Sequence, residues 1–273
     1  MTAPEAVREV AAELAAAGVP SPRADAELLV AHVLGKTRSQ LYVPDGTLSD
    51  SDRSRLKSLV DRRRNREPLA YVLGEWGFRR LTLRVDPRVL IPRPETEVVV
   101  ERCLSLLRGR ERPRVLDVGT GSGAIALAIA DEHPGAQVCA TDVSKDALAV
   151  ARENAKRAGR VVNFVHADLF SGALGPYDLV VSNPPYVDPS ELERLEPEVR
   201  VWEPRTALVG ENLAERIAER ARDVLKPGGW LVVETAAGQA PGVAAAFEKL
   251  GYEDLLVTQD LAGIERVVEA RRP

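Results

Sequence analysis

A short motif, Asn183-Pro184-Pro185-Tyr186, follows a run of apolar residues that is typical of a buried strand. Two consecutive prolines remove two backbone donors and hold the chain extended. The side-chain oxygen of Asn183 and the carbonyl oxygen of Pro184 would then point together and accept both hydrogens of one planar NH2 group. The motif predicts a site for an amide or a nucleobase amine. All four residues would bind the substrate, with Asn183 and Pro184 catalytic and Tyr186 over its flat face. A strand that simply ends at Pro-Pro is the alternative, although it leaves the flanking Asn and Tyr unexplained.

A glycine-rich turn, from Asp117 to Ala124, lies between an apolar run and the start of a helical pattern. Glycines let the backbone turn sharply and approach a ligand, and the start of a helix offers free N–H groups. Gly119, Gly121 and Ala124 also match the dinucleotide fingerprint G-x-G-x-x-A. The carboxylate of Asp117, however, would repel a pyrophosphate and suits a cation, such as the amino-acid end of S-adenosylmethionine. The turn therefore favours S-adenosylmethionine over a dinucleotide, and a tight turn with an incidental acid is the alternative without a ligand.

Two further acidic residues follow the next two predicted strands. The carboxylate of Asp142 could accept both hydroxyls of a ribose. Ser144 is expected to cap the helix that follows, which would leave Asp142 free for this role. Asp168 is placed where it could accept from the exocyclic amine of adenine, with Leu169 and Phe170 against the ring. An Asp in a turn after a strand is also common without any ligand.

Strand and helix patterns alternate around these motifs, and each motif comes at the end of a predicted strand. Helical patterns between the strands begin near Ser122, Ser144, Asn212 and Gln239. The predicted strands are 114–118, 137–141, 162–165, 177–182, 230–234, 252–257 and 264–269. Helices of this length between strands predict right-handed crossovers and a mainly parallel sheet covered on both faces. The last link is short, so we expect the final strand to be antiparallel. The fold class is therefore α/β, a Rossmann-like domain with a seven-stranded sheet whose ligands bind at the carboxyl ends of the strands.

The first part of the chain is predicted to be helical and separate. A capping box at Thr2 begins one helix, Ser21-Pro22 begins a second, and a third begins near Asp50 or Ser51. Alternating apolar residues then predict a β-hairpin that leads into the larger domain. We expect a helical domain at 1–73, a hairpin linker at 74–87 and a larger domain at 88–273. The span 53–66 carries seven basic residues against one acid, which predicts either a basic binding face or simply a solvated helix face.

Composition excludes several classes of protein. The chain has 273 residues, 45% of them hydrophobic and 29% charged, with a formal net charge of −4, which is typical of a globular domain rather than a disordered one. No apolar stretch is long enough to span a membrane, and charged residues occupy the positions of a secretory apolar core. Two cysteines and three histidines show no zinc-site spacing, so no metal is predicted. We therefore expect a cytoplasmic enzyme.

The motifs together resemble those of the class I S-adenosylmethionine-dependent methyltransferases that modify planar nitrogens. Two further stretches, Tyr71-Val72-Leu73-Gly74 and Val89-Leu90-Ile91-Pro92-Arg93-Pro94-Glu95-Thr96-Glu97, resemble the release factor glutamine methyltransferases of the PrmC/HemK family. This resemblance covers nearly the whole chain, and it implies that 1–73 is a substrate-recognition domain and 88–273 the methyltransferase domain. It implies methylation of the glutamine side-chain amide in the Gly-Gly-Gln motif of bacterial peptide chain release factors, with S-adenosylhomocysteine as product. With the resemblance included, the predicted cofactor contacts are Asp117, Gly119, Thr120, Gly121, Ser122, Gly123, Asp142, Val143, Asp168, Leu169 and Asn183.

Three alternatives to this function stay open at the level of sequence. A nucleic-acid methyltransferase acting on adenine or guanine amines would suit the same motif, but acidic residues dominate the segment 188–203 and favour a protein substrate over nucleic acid. A non-catalytic module that binds S-adenosylmethionine is suggested by two departures from the family pattern, at 209–213 and at Ile264-Glu265. A dehydrogenase is the third alternative.

Overall fold

The computed structural model describes residues 1–43, 47–173 and 175–273. The chain forms two compact units. The first comprises Met1–Glu75 together with Glu196–Trp202, and the second comprises Trp76–Leu195 together with Glu203–Pro273. The segment Glu196–Trp202 therefore belongs to the helical unit, whereas the division made from sequence assigns it to the methyltransferase domain.

The first unit is helical, and local signals in the sequence set where its helices begin. Thr2 and Ser49 both form capping boxes, with Glu5 and Asp52 respectively, because each side chain accepts from the backbone three residues on. The helices are Ala3–Ala16, Pro22–Leu34, Asp50–Arg64, Leu69–Leu73 and Pro197–Arg200, with a 3-10 turn at Ser39–Tyr42. Apolar residues of the first three helices, such as Leu14, Leu29 and Leu56, pack into one core.

The predicted basic run 53–66 is divided between surface and interior. Arg63 is only 5% exposed and donates to both Asp25 and Glu198 at 2.8 Å. Arg66 donates to both carboxylate oxygens of Glu198 at 2.6 Å, and Arg62 pairs with Glu67. Arg53 also pairs with Asp50 and Arg64 with Glu13, so five of the seven basic side chains form ion pairs within the unit, and the run is not one continuous basic face.

The second unit contains the predicted sheet. A two-stranded sheet comes first and consists of β1 (Glu75–Phe78) and β2 (Leu81–Arg84). The seven-stranded sheet consists of β3 (Arg114–Val118), β4 (Gln137–Asp142), β5 (Asn163–His166), β6 (Tyr177–Ser182), β7 (Leu225–Glu234), β8 (Glu253–Gln259) and β9 (Glu265–Arg271). Their order is β5-β4-β3-β6-β7-β9-β8. The neighbouring strands β5, β4, β3, β6 and β7 all pair in parallel, and β9 is antiparallel to its two neighbours, β7 and β8. The predicted fold class, with its antiparallel last strand and its hairpin, is confirmed.

Helices accompany the sheet, and their apolar residues pack with those of the strands in two cores. They are Thr96–Leu106, Ala124–Glu132, Lys145–Ala158, Leu213–Val224 and Ala240–Lys249, with short turns at Leu192–Arg194 and Arg205–Leu208. The helix Thr96–Leu106 was not predicted from the sequence. Within the described ranges, no helix is long and apolar enough to cross a membrane, and no group of His, Cys, Asp or Glu is arranged to hold a metal ion.

Candidate cofactor and amide site

A cleft in the second unit lies at the carboxyl ends of β3, β4 and β6. It brings together nine of the residues predicted from sequence: Gly119, Gly121, Asp142, Val143, Asp168, Leu169, Asn183, Pro184 and Pro185. Asp117, Thr120, Ser122, Gly123 and Tyr186 are not among its lining residues. The sequence reasoning missed several others that line the cleft, including Arg88, Val89, Leu90, Thr206 and Ile217.

The glycine-rich turn reaches the cleft through backbone that only glycine adopts easily. Gly121 has a φ of +56°, and no heavy atom lies within 4 Å of where its Cβ would stand. The space beside the Gly121 backbone is therefore free of other protein atoms. Its backbone N–H donates to Asp142 Oδ2 at 2.8 Å, which ties the loop to the end of β4.

Asp117 lies beneath this loop rather than at the cleft surface. Its Oδ2 accepts from the hydroxyl of Thr120 at 2.6 Å and from the backbone N–H of Ala126 at 3.2 Å. Its Oδ1 is buried and has no hydrogen-bond partner among the described residues. Burial raises the pKa of Asp117 to about 7. Asp117 therefore supports the loop and keeps one unpaired acceptor, which is compatible with a cationic group near the loop.

Asp142 was expected to be free of local hydrogen bonds, but both of its oxygens accept from backbone N–H groups. Ser144 does cap the following helix, because its Oγ accepts from Ala147 at 3.1 Å. Asp142 nevertheless uses both oxygens, Oδ1 accepting from Ser144 N and Oδ2 from Gly121 N, each at 2.8 Å. Each carboxylate oxygen has two acceptor sites, so the carboxylate keeps capacity for ligand hydroxyls at the cleft.

Of the three residues expected at the ligand after β5, Asp168 and Leu169 line the cleft and Phe170 does not. Asp168 is exposed and Leu169 is half-buried, and both line the cleft. The hydroxyl of Thr141 donates to the carbonyl of Leu169 at 2.8 Å and fixes this turn against β4. Phe170 was expected to lie against a ligand ring, but it is 7% exposed and packs in the apolar core beside Leu116. Contrary to that expectation, Phe170 does not line the cleft.

The Asn-Pro-Pro-Tyr motif leaves β6 directly at the cleft. Asn183 is half-buried, and its Nδ2 donates to Thr96 Oγ1 at 3.2 Å. This leaves Oδ1 of Asn183 as the side-chain atom that can accept a hydrogen bond from a ligand. Tyr186 is held by Gln239, whose Nε2 donates to its carbonyl at 3.1 Å, and burial raises the pKa of its phenol to about 12. The phenol of Tyr186 is therefore neutral near pH 7 and does not serve as a base.

The segment around Gly210 packs against this motif. Val187 N donates to Leu208 O at 2.9 Å. A Cβ on Gly210 would lie 2.6 Å from the carbonyl oxygen of Pro185, too close for any other residue. The segment 209–213, which departs from the family pattern, therefore retains a glycine where its backbone comes close to Pro185.

Charged residues of the Ile91-to-Glu97 region also lie near the motif. Arg93 donates to Glu203 at 2.6 Å, and the Glu203 side chain is almost fully buried. Burial raises the pKa of Glu203, although Arg93 opposes that effect. In a second buried acid, Glu234, burial raises the pKa to about 7, and the Thr96 side chain opposes that effect by hydrogen bonding to the ionised form. Neither Thr96 nor Glu234 was singled out from sequence as a site residue.

The chain matches two protein families over most of its length. The family described as the PrmC N-terminal domain matches residues 5–74, and the methyltransferase small domain matches residues 98–196. The methyltransferase fold of a Pyrococcus furiosus crystal structure is similar, with a TM-score of 0.52 and 20% identity, over 70% of this chain and 89% of that chain. That likeness bears on the fold alone.

Curated relatives are similar along the full chain. A release factor glutamine methyltransferase of Deinococcus radiodurans is 44% identical over 271 residues, covering 97% of this chain and 96% of that protein. A protein of the same name from Geobacter sulfurreducens is 44% identical over 265 residues, covering 94% and 92%. With both units matched and this identity throughout, the chain belongs to the release factor glutamine methyltransferase family.

Proposed function

We propose that the protein transfers a methyl group from S-adenosylmethionine to the side-chain amide nitrogen of the glutamine in the Gly-Gly-Gln motif of bacterial peptide chain release factors. Release factors would be its protein substrates, and it would act in the cytoplasm, where they act. Nucleic acid is not expected as a substrate. The family membership supports this proposal, and so does the placement of the amide motif at the cleft.

The observation that carries the proposal is the fixed orientation of Asn183. Because its Nδ2 donates to Thr96, its Oδ1 is the atom that remains to accept from a substrate. Pro184, the next residue, also lines the cleft, and its backbone carbonyl would supply the second acceptor. Two neighbouring acceptors complement an NH2 group, which has two donors and is found in a glutamine side chain.

The proposed cofactor fits the residues of the cleft. Asp142 and the backbone of Gly119 and Gly121 would hold S-adenosylmethionine at the carboxyl ends of β3 and β4, with Leu169 beside it. The unpaired buried Oδ1 of Asp117 would add negative charge near its cationic amino-acid end. S-adenosylmethionine supplies an electrophilic methyl group when it is bound.

The chain's own residues would act by positioning and by hydrogen bonding. An amide nitrogen is a poor nucleophile because its lone pair is delocalised. Asn183 and Pro184 would hold it behind the methyl group, which supplies proximity. Their hydrogen bonds to the two N–H groups would strengthen as the nitrogen becomes positive, which stabilises the transition state more than the ground state. No strong base is required by this scheme.

The test is transfer of labelled methyl from S-adenosylmethionine to a panel of purified substrates. The panel holds an unmethylated release factor, its Gln-to-Ala variant in the Gly-Gly-Gln motif, bulk RNA and bulk DNA. Label on the wild-type factor alone is the expected result. Label on RNA or DNA would assign the protein to the nucleic-acid methyltransferases, and tight cofactor binding with no transfer would favour a non-catalytic module.

A further inference from the structure

We propose that Thr96 and Glu234 are positioning residues that decide which atom of the Asn183 amide faces the substrate. The inference rests on the proposed function, because it assigns these residues to the same amide site. Neither residue lines the cleft, so both would act through Asn183.

The sheet register brings the three residues together. β6 and β7 are parallel neighbours in which Ser182 pairs with Val233, so Asn183 and Glu234 are the next residues on adjacent strands. Thr96 is the first residue of the helix Thr96–Leu106 and is 3% exposed. Its hydroxyl oxygen accepts from Asn183 Nδ2 at 3.2 Å, and its side chain lowers the pKa of Glu234 as a hydrogen-bond donor to that carboxyl does.

The chain of hydrogen bonds has one direction while Glu234 is ionised. A carboxylate only accepts, so the hydroxyl of Thr96 must donate to it. The oxygen of Thr96 is then left to accept from the NH2 group of Asn183. Asn183 therefore turns its oxygen toward the substrate. A reversed Asn183 would present its own NH2 group to the substrate NH2 group, and two donors cannot bond to each other.

Burial makes this arrangement costly to break while Glu234 is ionised. Glu234 is 2% exposed, and its Oε2 has no hydrogen-bond partner among the described residues. A hydrogen bond from Thr96 favours the ionised form of this buried carboxyl, so reversal of the hydroxyl would be costly while Glu234 is ionised.

Protonation of Glu234 would permit the reversed arrangement. Burial raises the pKa of Glu234 to about 7, Glu95 raises it further, and Arg266 and Arg93 oppose that effect. Glu234 in turn raises the pKa of the Tyr186 phenol, which is neutral near pH 7 and therefore adds no charge beside Glu234. A protonated Glu234 can donate to Thr96, so the Thr96 hydroxyl can donate to Asn183 Oδ1. Methyl transfer should therefore fall as the pH decreases through about 7.

The first experiment compares Thr96→Val, Thr96→Ser and Thr235→Val in single-turnover transfer to a release factor at saturating S-adenosylmethionine. Thr96→Val should lower the rate roughly 10- to 100-fold, the cost of one or two misplaced hydrogen bonds. Thr96→Ser restores the hydroxyl and should recover most of the rate. Thr235 is an equally buried control whose hydroxyl makes only a 3.4 Å contact with Arg266 O, so its variant should match the wild type. Cofactor affinity, measured by calorimetry, should be unchanged in all three.

The second experiment records the pH dependence of the single-turnover rate in wild type and in Glu234→Gln. The wild type should lose rate below about pH 7, and the variant, which cannot ionise, should lack that dependence. This measurement decides the matter even if Thr96→Val fails to fold. A wild-type rate in Thr96→Val, no recovery in Thr96→Ser, or the same acid dependence in Glu234→Gln would overturn the positioning role. Absence of transfer by the wild type itself would instead overturn the proposed function.

Discussion

Asp142 Oδ2 accepts a hydrogen bond from the backbone N–H of Gly121 at 2.8 Å, which couples the end of β4 to the glycine-rich loop of β3. Its other oxygen accepts from Ser144 N at the same distance. One carboxylate therefore shapes two sides of the cleft before any ligand binds. Its loss should alter the loop as well as remove the proposed cofactor contact.

Asp142→Ala should weaken S-adenosylmethionine binding by at least about tenfold, because the ligand loses an acceptor and Gly121 N loses its partner. Isothermal titration calorimetry measures the affinity directly. Asp146→Ala is the matched control, since Asp146 is an exposed acid in the first turn of the next helix. Equal affinity in the two variants would remove Asp142 from the proposed cofactor site.

Asn183→Ala should lower the single-turnover rate by roughly 100-fold or more while changing cofactor affinity far less. The reason is that its hydrogen bond to the substrate amide would strengthen as charge develops on the nitrogen. Rapid-quench methyl transfer gives the rate. Asn163→Ala, at the exposed start of β5, is the control and should be close to wild type. A wild-type rate in Asn183→Ala would exclude the two-acceptor mechanism.

Asp117 should make the protein less stable as the pH rises. Its folded pKa of about 7 lies above its usual value of 3.8, so the folded state binds the proton more tightly. Its contribution is fully present below pH 4 and is lost as the pH rises through about 7, amounting to roughly 4 kcal/mol at most.

The test of this linkage is urea unfolding of wild type and Asp117→Asn at pH 5 and at pH 8. Asparagine keeps one oxygen that can accept from Thr120 and Ala126, so the variant should fold. Its free energy of unfolding should decline less between the two pH values than that of the wild type. An identical decline in both proteins would contradict a raised pKa at Asp117.

Glu198→Ala should destabilise the helical unit by about 3 to 5 kcal/mol, because it leaves the buried guanidinium of Arg63 with one partner fewer. Arg66 would also lose its bidentate partner. Urea unfolding monitored by far-UV circular dichroism reports the change. Asp50→Ala is the control, since Asp50 forms an ion pair with Arg53 at the surface and should change stability by less than about 1 kcal/mol. Equal effects of the two substitutions would show that the buried pair contributes no more than a surface one.

The parts of the structure that local sequence could predict are those set by local chemistry. The capping box at Thr2 and the strand ends at Val118 and Ser182 depend on residues only a few positions apart. The start of the third helix near Asp50 was likewise expected, although its capping box at Ser49 was not singled out. The sheet followed from alternating strand and helix patterns, because short connections allow few topologies.

The parts that escaped prediction depend on contacts between distant residues. Thr96 reaches Asn183 across 87 positions, and Arg63 reaches Glu198 across 135. No spacing rule marks such pairs, so Thr96 was not assigned to the site. For the same reason, the basic run 53–66 could not be divided into buried and exposed residues. Phe170 was misplaced for the same reason, because its burial depends on the core packed beneath the turn.

The central claim is methylation of one glutamine, and mass spectrometry of the release factor tests it most directly. An unmethylated factor is incubated with the protein and S-adenosylmethionine, digested and sequenced through the Gly-Gly-Gln peptide. We expect one added methyl group on the side-chain amide of that glutamine, and none when Asn183→Ala replaces the wild type. An unmodified Gly-Gly-Gln peptide, or a methyl group on another residue, would contradict the proposed function.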